Sequence, residues 1–191
     1  MKDNLHQQKK TISTTIRLHQ IKYPERTGIP PVDKGMLMFY NMGKIDAHAV
    51  NNSIYNDNDA GKYAGSVTKY PLPLDVVLPV FGWVIHIRDG KVIGLLNKSF
   101  IEELPHNSWF KYNSGDTYIS TNAFFLHGTY FMKDDVLKIE RVLPDNCLKA
   151  ARKASGSLKS EKRTVSLFDL DSLNISNYHE KDFEKIFTCF D

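Results

Sequence analysis

Residues 36–43 read MLMFYNMG: five apolar side chains in a row, Met36 to Tyr40, followed at once by Asn41 and Gly43. A strand with one wet face alternates apolar and polar side chains, whereas an unbroken apolar run belongs to a parallel strand covered on both faces. Residues 11–20, TISTTIRLHQ, repeat the design. Thr11–Leu18 is rich in β-branched Thr and Ile, and the run ends on His19 and Gln20. Between the two strands, KYPERTGIPPVDKG is a loop forced by its prolines and glycines.

Working forward, Ala60, Tyr63, Ala64 and Val67 fall at helical spacing, with Asn58 or Asp59 as N-cap and YPLP as the stop. A third buried strand, Val76–Phe81, leads to Gly82 and Trp83, although Pro79 is unusual inside a central strand. DNCLKAARKASGSL resumes the helical period behind Asp145. TVSLFDL is then a fourth buried strand ending in Asp169 and Asp171. In the last helix, Asn177 and Glu180 form a capping-box-like start, and Phe183, Ile186, Phe187 and Phe190 mark one apolar stripe.

From Val84 to Val142 the pattern turns antiparallel. Asp89-Gly90 marks one hairpin, a second is expected around Lys133–Asp135, and Ser99 with Glu102 suggests a capping box on a single helical turn between them. Four segments follow: 1–10 disordered, 11–83 strands and helix, 84–142 a β-rich insertion, and 143–191 helix, strand and helix. Without the insertion, buried strands alternate with amphipathic helices, which implies right-handed crossovers and an α/β sheet or barrel.

The composition is that of a folded chain: 191 residues, 41% hydrophobic and 25% charged. A net charge of +3, with one basic cluster at Lys149–Arg163, is too mild for a nucleic-acid binder. Cys147 and Cys189 lie in helical segments and read as buried thiols, not as a disulfide or metal motif. The first ten residues lack the apolar core of a signal peptide, and no run is long enough to span a membrane.

In parallel α/β folds the C-terminal strand ends carry the chemistry. That rule selects His19, Gln20, Tyr40, Asn41, Trp83, Asp169 and Asp171. Aromatic faces beside amide, phenol and carboxylate groups suit a carbohydrate, whose rings stack while their hydroxyls hydrogen-bond. Trp109, Phe110 and Tyr112 of the insertion would cap the mouth or add a subsite. Duller roles compete: His19 as a satisfied core histidine, Trp83 as a plug, and Asp169 and Asp171 as Asx caps in a turning loop. A glycosidase needs two carboxyl groups about 5–10 Å apart, one of them protonated. No Glu stands at a strand end, which leaves Asp169 and Asp171 as the catalytic candidates. GxSxG, HExxH, the P-loop and GxGxxG are all absent, so neither a metal nor a cofactor is expected.

Three phrases, TTIRLHQIKYPERTGIPPVDKGMLMFYNMG, YPLPLDVVLPVFGWVIHIRDGKVIGLL and TVSLFDLDSLN, resemble the C-terminal part of an uncharacterised family of bacterial envelope proteins that look like glycoside-hydrolase (β/α) barrels. The resemblance runs from about Thr11 to Phe190 and, within the LPxFxW phrase, carries over Trp83 alone. It implies a partial TIM-type barrel holding only the later strands, with the earlier strands and the main catalytic acid outside this chain. It further implies an envelope location. Three functions stay open: a glycoside hydrolase, a glycan-binding surface protein without activity, and an inactive fragment. An open sheet edge would then be covered by a second copy or by the missing N-terminal half.

Overall fold

The computed structural model describes residues 2–49, 51–159 and 163–191 and shows a mixed α/β protein with a parallel and an antiparallel sheet. The parallel sheet contains β1 (Ser13–Arg17), β2 (Lys34–Met38), β3 (Leu74–Pro79) and β11 (Val165–Phe168), neighbours in that order. Spatial order therefore follows chain order. Helices α2 (Leu18–Lys22), α4 (Asp57–Lys69), α6 (Pro144–Ser155) and α8 (Glu180–Thr188) pack in the same succession, α2 on α4, α4 on α6 and α6 on α8.

The register shows which face they cover. Ile16, Leu37 and Val76 are in register and, with Leu78, have no exposure; they share a core with Ala60, Val67, Ala150, Ala154 and Ile186. The alternate row, Arg17, Met38, Val77 and Ser166, also in register, faces the other way. Arg17 is exposed and the other three are half-buried. Parallel sheets are ordinarily covered on both sides. Here one is dressed by helices; on the other, among the described residues, Thr15 and Arg17 are exposed, Met36, Met38, Val77 and Ser166 half-buried, and Asp75 buried beside Lys34.

Several expected boundaries move, each for a local reason. The first strand stops at Arg17, because Leu18 and Ile21 bury one side of a helical turn whose start is closed by the Gln20 side chain accepting from the Arg17 amide at 2.9 Å. A second short turn, α3 (Pro24–Thr27), follows. Asn56, not Asn58 or Asp59, caps α4 by accepting from the Asp59 amide. Pro79 closes β3, where its lack of an N–H interrupts no interior ladder. Helix α6 begins with Pro144 at its first turn behind Leu143, and Asp145 lies inside that turn. The start of α8 is a box between His179 and Asp182, not Asn177 and Glu180. Ile186 is buried and Phe183 and Phe190 pack on the core, while Phe187 is 40% exposed. Cys147 is buried as expected; Cys189, at the end of α8, is only half-buried.

Within the expected disordered segment, α1 (Lys2–Gln7) forms, and His6 contacts Asp33 at 2.9 Å. Residues 160–162 of the basic cluster lie outside the described residues. No helix among the described residues is long and apolar enough to cross a membrane.

The insertion runs from β4 (Gly82–Arg88) through β5 (Lys91–Leu96), α5 (Ser99–Glu103), β6 (Phe110–Ser114), β7 (Thr117–Ser120), β8 (Phe124–Leu126) and β9 (Thr129–Phe131) to β10 (Val136–Arg141). Its five-stranded antiparallel sheet has the order β5-β4-β10-β7-β6, and β8 and β9 pair separately. Phe100, Leu104, Phe110, Phe131 and Leu137 form a core of its own. Asp89-Gly90 turns the first hairpin with positive φ at both residues, as a type I′ turn requires. A second hairpin, β6–β7, turns at Gly115-Asp116, and the one expected around Lys133–Asp135 turns instead at His127-Gly128, again with positive φ at both. The Asp135 carboxylate is buried among His86, Arg88 and the Met132 amide, and β10 leaves to pair with β4 and β7. The Ser99–Glu102 box does not form: α5 is preceded by helical Lys98, and the Ser99 amide donates to the Asn97 side chain. A final short turn, α7 (Ser172–Ile175), links β11 to α8.

Candidate functional site

At two-residue spacing from the alternate row, aromatic rings gather near the C-terminal ends of three strands, Tyr40 and Phe81 as part of the main core and Trp83 packed against it. Tyr40 follows Met38 by two residues, Phe168 follows Ser166, and Phe81 and Trp83 follow Pro79. Tyr40 and Phe168 stack, with centroids 5.6 Å apart and planes 7° from parallel. Phe81 stands edge-on to both, at 5.5 and 5.7 Å, and Trp83 meets Phe81 at 5.5 Å. Offset and edge-on pairs of this kind are the favourable geometries for aromatic quadrupoles. Tyr40 and Phe81 are buried, Trp83 is half-buried, and Phe168 is 46% exposed.

Two clefts flank this cluster. One of about 380 Å³ is lined by Arg17, His19, Met38, Tyr40, Asn41 and Tyr63. The other, about 290 Å³, is lined by Phe81, Trp83, Asn97, Lys98, Phe168 and Asp169. The Tyr40–Phe168 stack is the wall between them.

The charges at the rim are organised by Lys98. Its ammonium reaches Asp169 at 2.9 Å and Asp171 at 3.2 Å. Asp171 also accepts from the Leu173 amide at 2.9 Å as the cap of α7, and this bond, then Lys98, holds its carboxyl below the usual range. Burial pushes Lys98 down, but the hydrogen bonds to Asp169 and Asp171 more than offset it and the net displacement is upward.

Trp83 is fixed by its polar edge. The indole N–H donates to Glu140 at 3.3 Å, across the β4–β10 pair in which the two residues are register partners. Glu140 is 2% exposed and also accepts from the Lys138 ammonium at 2.7 Å, the Ser53 amide at 3.0 Å and the Ser53 hydroxyl. Burial raises the Glu140 pKa, but Lys138 and Ser53 outweigh it and the group stays below the usual carboxylate range. A buried ion so fully satisfied acts as a clamp on the indole.

The structure thus gathers His19, Tyr40 and Asn41 in one cleft and Trp83 and Asp169 in the next, with Asp171 alongside through Lys98. His19 and Gln20 stand on a helical turn, not a strand tip, and the Gln20 side-chain oxygen is occupied at the Arg17 amide. Trp109 lines neither cleft; it is 42% exposed on the insertion, packed on Phe124 at 4.6 Å beside Glu103, His106 and Asn107. Phe110 is a core residue of the insertion, and Tyr112 is 58% exposed on the edge strand β6. Sequence reasoning missed Phe81, Phe168, Lys98 and Glu140. Counting by twos beyond Pro79 and Ser166 was a signal for the rings; nothing local in the sequence linked Glu140 to Trp83.

No family model matches the chain, and no curated protein does. Among solved structures, the spore cortex-lytic enzyme SleL of Bacillus cereus is similar with 11% identity and a TM-score of 0.46, over 95% of this chain and 41% of that one. A chitinase from Chromobacterium violaceum ATCC 12472 is similar with 11% identity and a TM-score of 0.48, over 98% of this chain and 57% of its own. The chain spans about half the length of these two proteins.

Proposed function

We propose that this chain is the later half of a (β/α) barrel and that its aromatic rim binds a carbohydrate. The observation that carries the reading is the Trp83–Phe81–Phe168–Tyr40 cluster, near the C-terminal strand ends between two polar clefts. Sugar rings stack on exposed Phe168 and half-buried Trp83, while His19, Asn41, Lys98 and Asp169 hydrogen-bond the hydroxyls. Trp109 serves as an outer contact on the insertion. The half-barrel reading is supported by four parallel strands in chain order with α2, α4, α6 and α8 packed in the same succession. The resemblance of its three phrases to envelope proteins favours a bacterial envelope location.

Binding is favoured over hydrolysis for these residues. Acid catalysis at a glycosidic bond requires one protonated carboxyl. Asp169 and Asp171 share one ammonium, and Asp171 is held below the usual carboxylate range. Calorimetric titration with a panel of neutral and amino-sugar oligosaccharides tests the assignment. Saturable binding lost in Trp83→Ala and weakened in Phe168→Ala supports it; a panel with no binder overturns it. Turnover of aryl glycosides abolished by Asp169→Asn would replace binding with catalysis.

A further inference from the structure

We infer that the insertion carries a sugar site of its own, centred on Trp109, which takes an uncharged pyranose and disfavours an acidic one. The inference rests on the carbohydrate reading above only for its class of ligand; the residues are different ones.

Trp109 is held as a platform just ahead of β6. Its amide donates to the Asn107 side chain at 2.9 Å, and its carbonyl accepts from the Thr121 amide at 2.9 Å and the Thr121 hydroxyl at 3.0 Å. The indole leans on Phe124, with centroids 4.6 Å apart and planes at 44°, and is 42% exposed. A ring already packed on the insertion and still nearly half exposed can stack on a ligand without first being ordered, so little conformational entropy opposes binding.

Polar groups are set beside it. A cleft of about 440 Å³ is lined by Glu103, His106, Asn107, Ser108 and Trp109. Asn107 Nδ2 donates to Glu103 Oε1 at 3.0 Å, and His127, at the tip of the β8–β9 hairpin, contacts Glu103 Oε2 at 2.8 Å. Each carboxylate oxygen thus has one partner and a lone pair to spare, and the side chain is 25% exposed. A carboxylate fixed in this way accepts charge-assisted hydrogen bonds from hydroxyl groups. Exposed His106 and Ser108 add a ring nitrogen and a hydroxyl. One aromatic face beside a fringe of hydrogen-bonders matches a pyranose, above all a β-glucoside, whose equatorial substituents leave its axial C–H faces bare.

Charge decides among sugars. The lining holds one carboxylate and neither lysine nor arginine, and Glu102 adjoins it in α5. Lys98, at the start of that helix, is engaged with Asp169 and Asp171, and exposed Lys111 lies outside the lining. His127 offsets Glu103 only when protonated. Above the ordinary histidine range, a uronic acid therefore meets an uncompensated like charge that a neutral ring does not. With a single stacked face the Kd for a monosaccharide should be about 1–20 mM, beyond the reach of calorimetric titration of the rim.

Proton–nitrogen correlation spectra of the full chain test this, because Trp83 and Trp109 are its two tryptophans and Trp109→Phe assigns their indole N–H signals. At pH 8, methyl β-glucoside should shift the Trp109 signal saturably, and methyl β-glucuronide should bind about fivefold more weakly or worse. Glu103→Gln should weaken the glucoside by about threefold and narrow the gap between the two glycosides, which a merely structural role for Glu103 would not do. Trp83→Ala should leave the Trp109 titration unchanged. A Trp109 signal that neither glycoside moves overturns the inference, as does equal binding of the two or a response lost with Trp83. If Trp83 responds to oligosaccharides while Trp109 stays silent, the rim reading stands and this site falls; if Trp109 alone responds, the rim falls and this site stands.

Discussion

The rings of Tyr40 and Phe168 lie 5.6 Å apart and 7° from parallel, although their strands, β2 and β11, are separated by β3. Pro79, the register partner of Phe168, lies between them at the end of β3. With Phe81 edge-on to both rings, the stack joins the tips of three strands into one surface.

Tyr40 is the buried half of that stack and Phe168 the exposed half, so the two truncations should separate stability from binding. Tyr40→Ala should destabilise the fold by about 3 kcal/mol, as loss of a buried aromatic does. Phe168→Ala should cost under about 1.5 kcal/mol of stability but raise the Kd for a bound oligosaccharide by roughly tenfold. Urea unfolding read beside calorimetric titration checks both.

The indole of Trp83 is held by a carboxylate that must stay charged. Glu140 has a folded pKa below its ordinary value of 4.5, so its contribution to stability is present above that value and disappears as pH falls through the folded pKa. Melting temperatures of the wild type should therefore drop from pH 5 toward pH 3 more steeply than those of Glu140→Gln. At neutral pH Glu140→Gln should be the less stable protein, because Lys138 loses its buried counter-charge.

The second parallel strand was legible because a continuous apolar run marks such a strand, and MLMFY is one; TVSLF, interrupted by Thr164 and Ser166, does form the fourth strand, but none of the residues of β11 is buried. The ends were less legible, since a strand tip is decided by tertiary satisfaction. His19 and Gln20 read as a tip, yet the burial of Leu18 and Ile21 winds them into a helix. The hairpin expected at Lys133–Asp135 failed because Asp135 is drawn to His86 and Arg88, some forty-seven residues earlier in the case of Arg88. His19, Tyr40, Asn41, Trp83 and Asp169 followed from position in the chain. Of the four residues missed, Lys98 and Glu140 are contributed by the insertion across separations of 71 and 57 residues, which no local pattern encodes.

Removing Lys98 should release the acidic pair. In Lys98→Met the Asp171 carboxyl should titrate closer to its ordinary value, though still below it because the Leu173 amide remains. Carbon-detected NMR of the side-chain carboxyls during an acid titration reads this directly. An unchanged Asp171 midpoint would show that Lys98 does not hold the pair.

The two cysteines should differ in reactivity. Burial pushes the Cys147 thiol up to about 12, and it has no exposure, whereas Cys189 is half-buried. At pH 8, a thiol reagent should modify Cys189 in the folded protein and reach Cys147 only after denaturation. Mass spectrometry of the labelled peptides distinguishes the sites.

Trp83 at the aromatic rim is where the carbohydrate reading is most directly exposed to test. In a Trp109→Phe background it is the sole tryptophan, and its fluorescence reports the rim alone. Titration with an oligosaccharide that binds calorimetrically should give a saturable change in its emission with the same Kd. Binding that leaves the emission of Trp83 unaltered would place the sugar elsewhere and contradict the account.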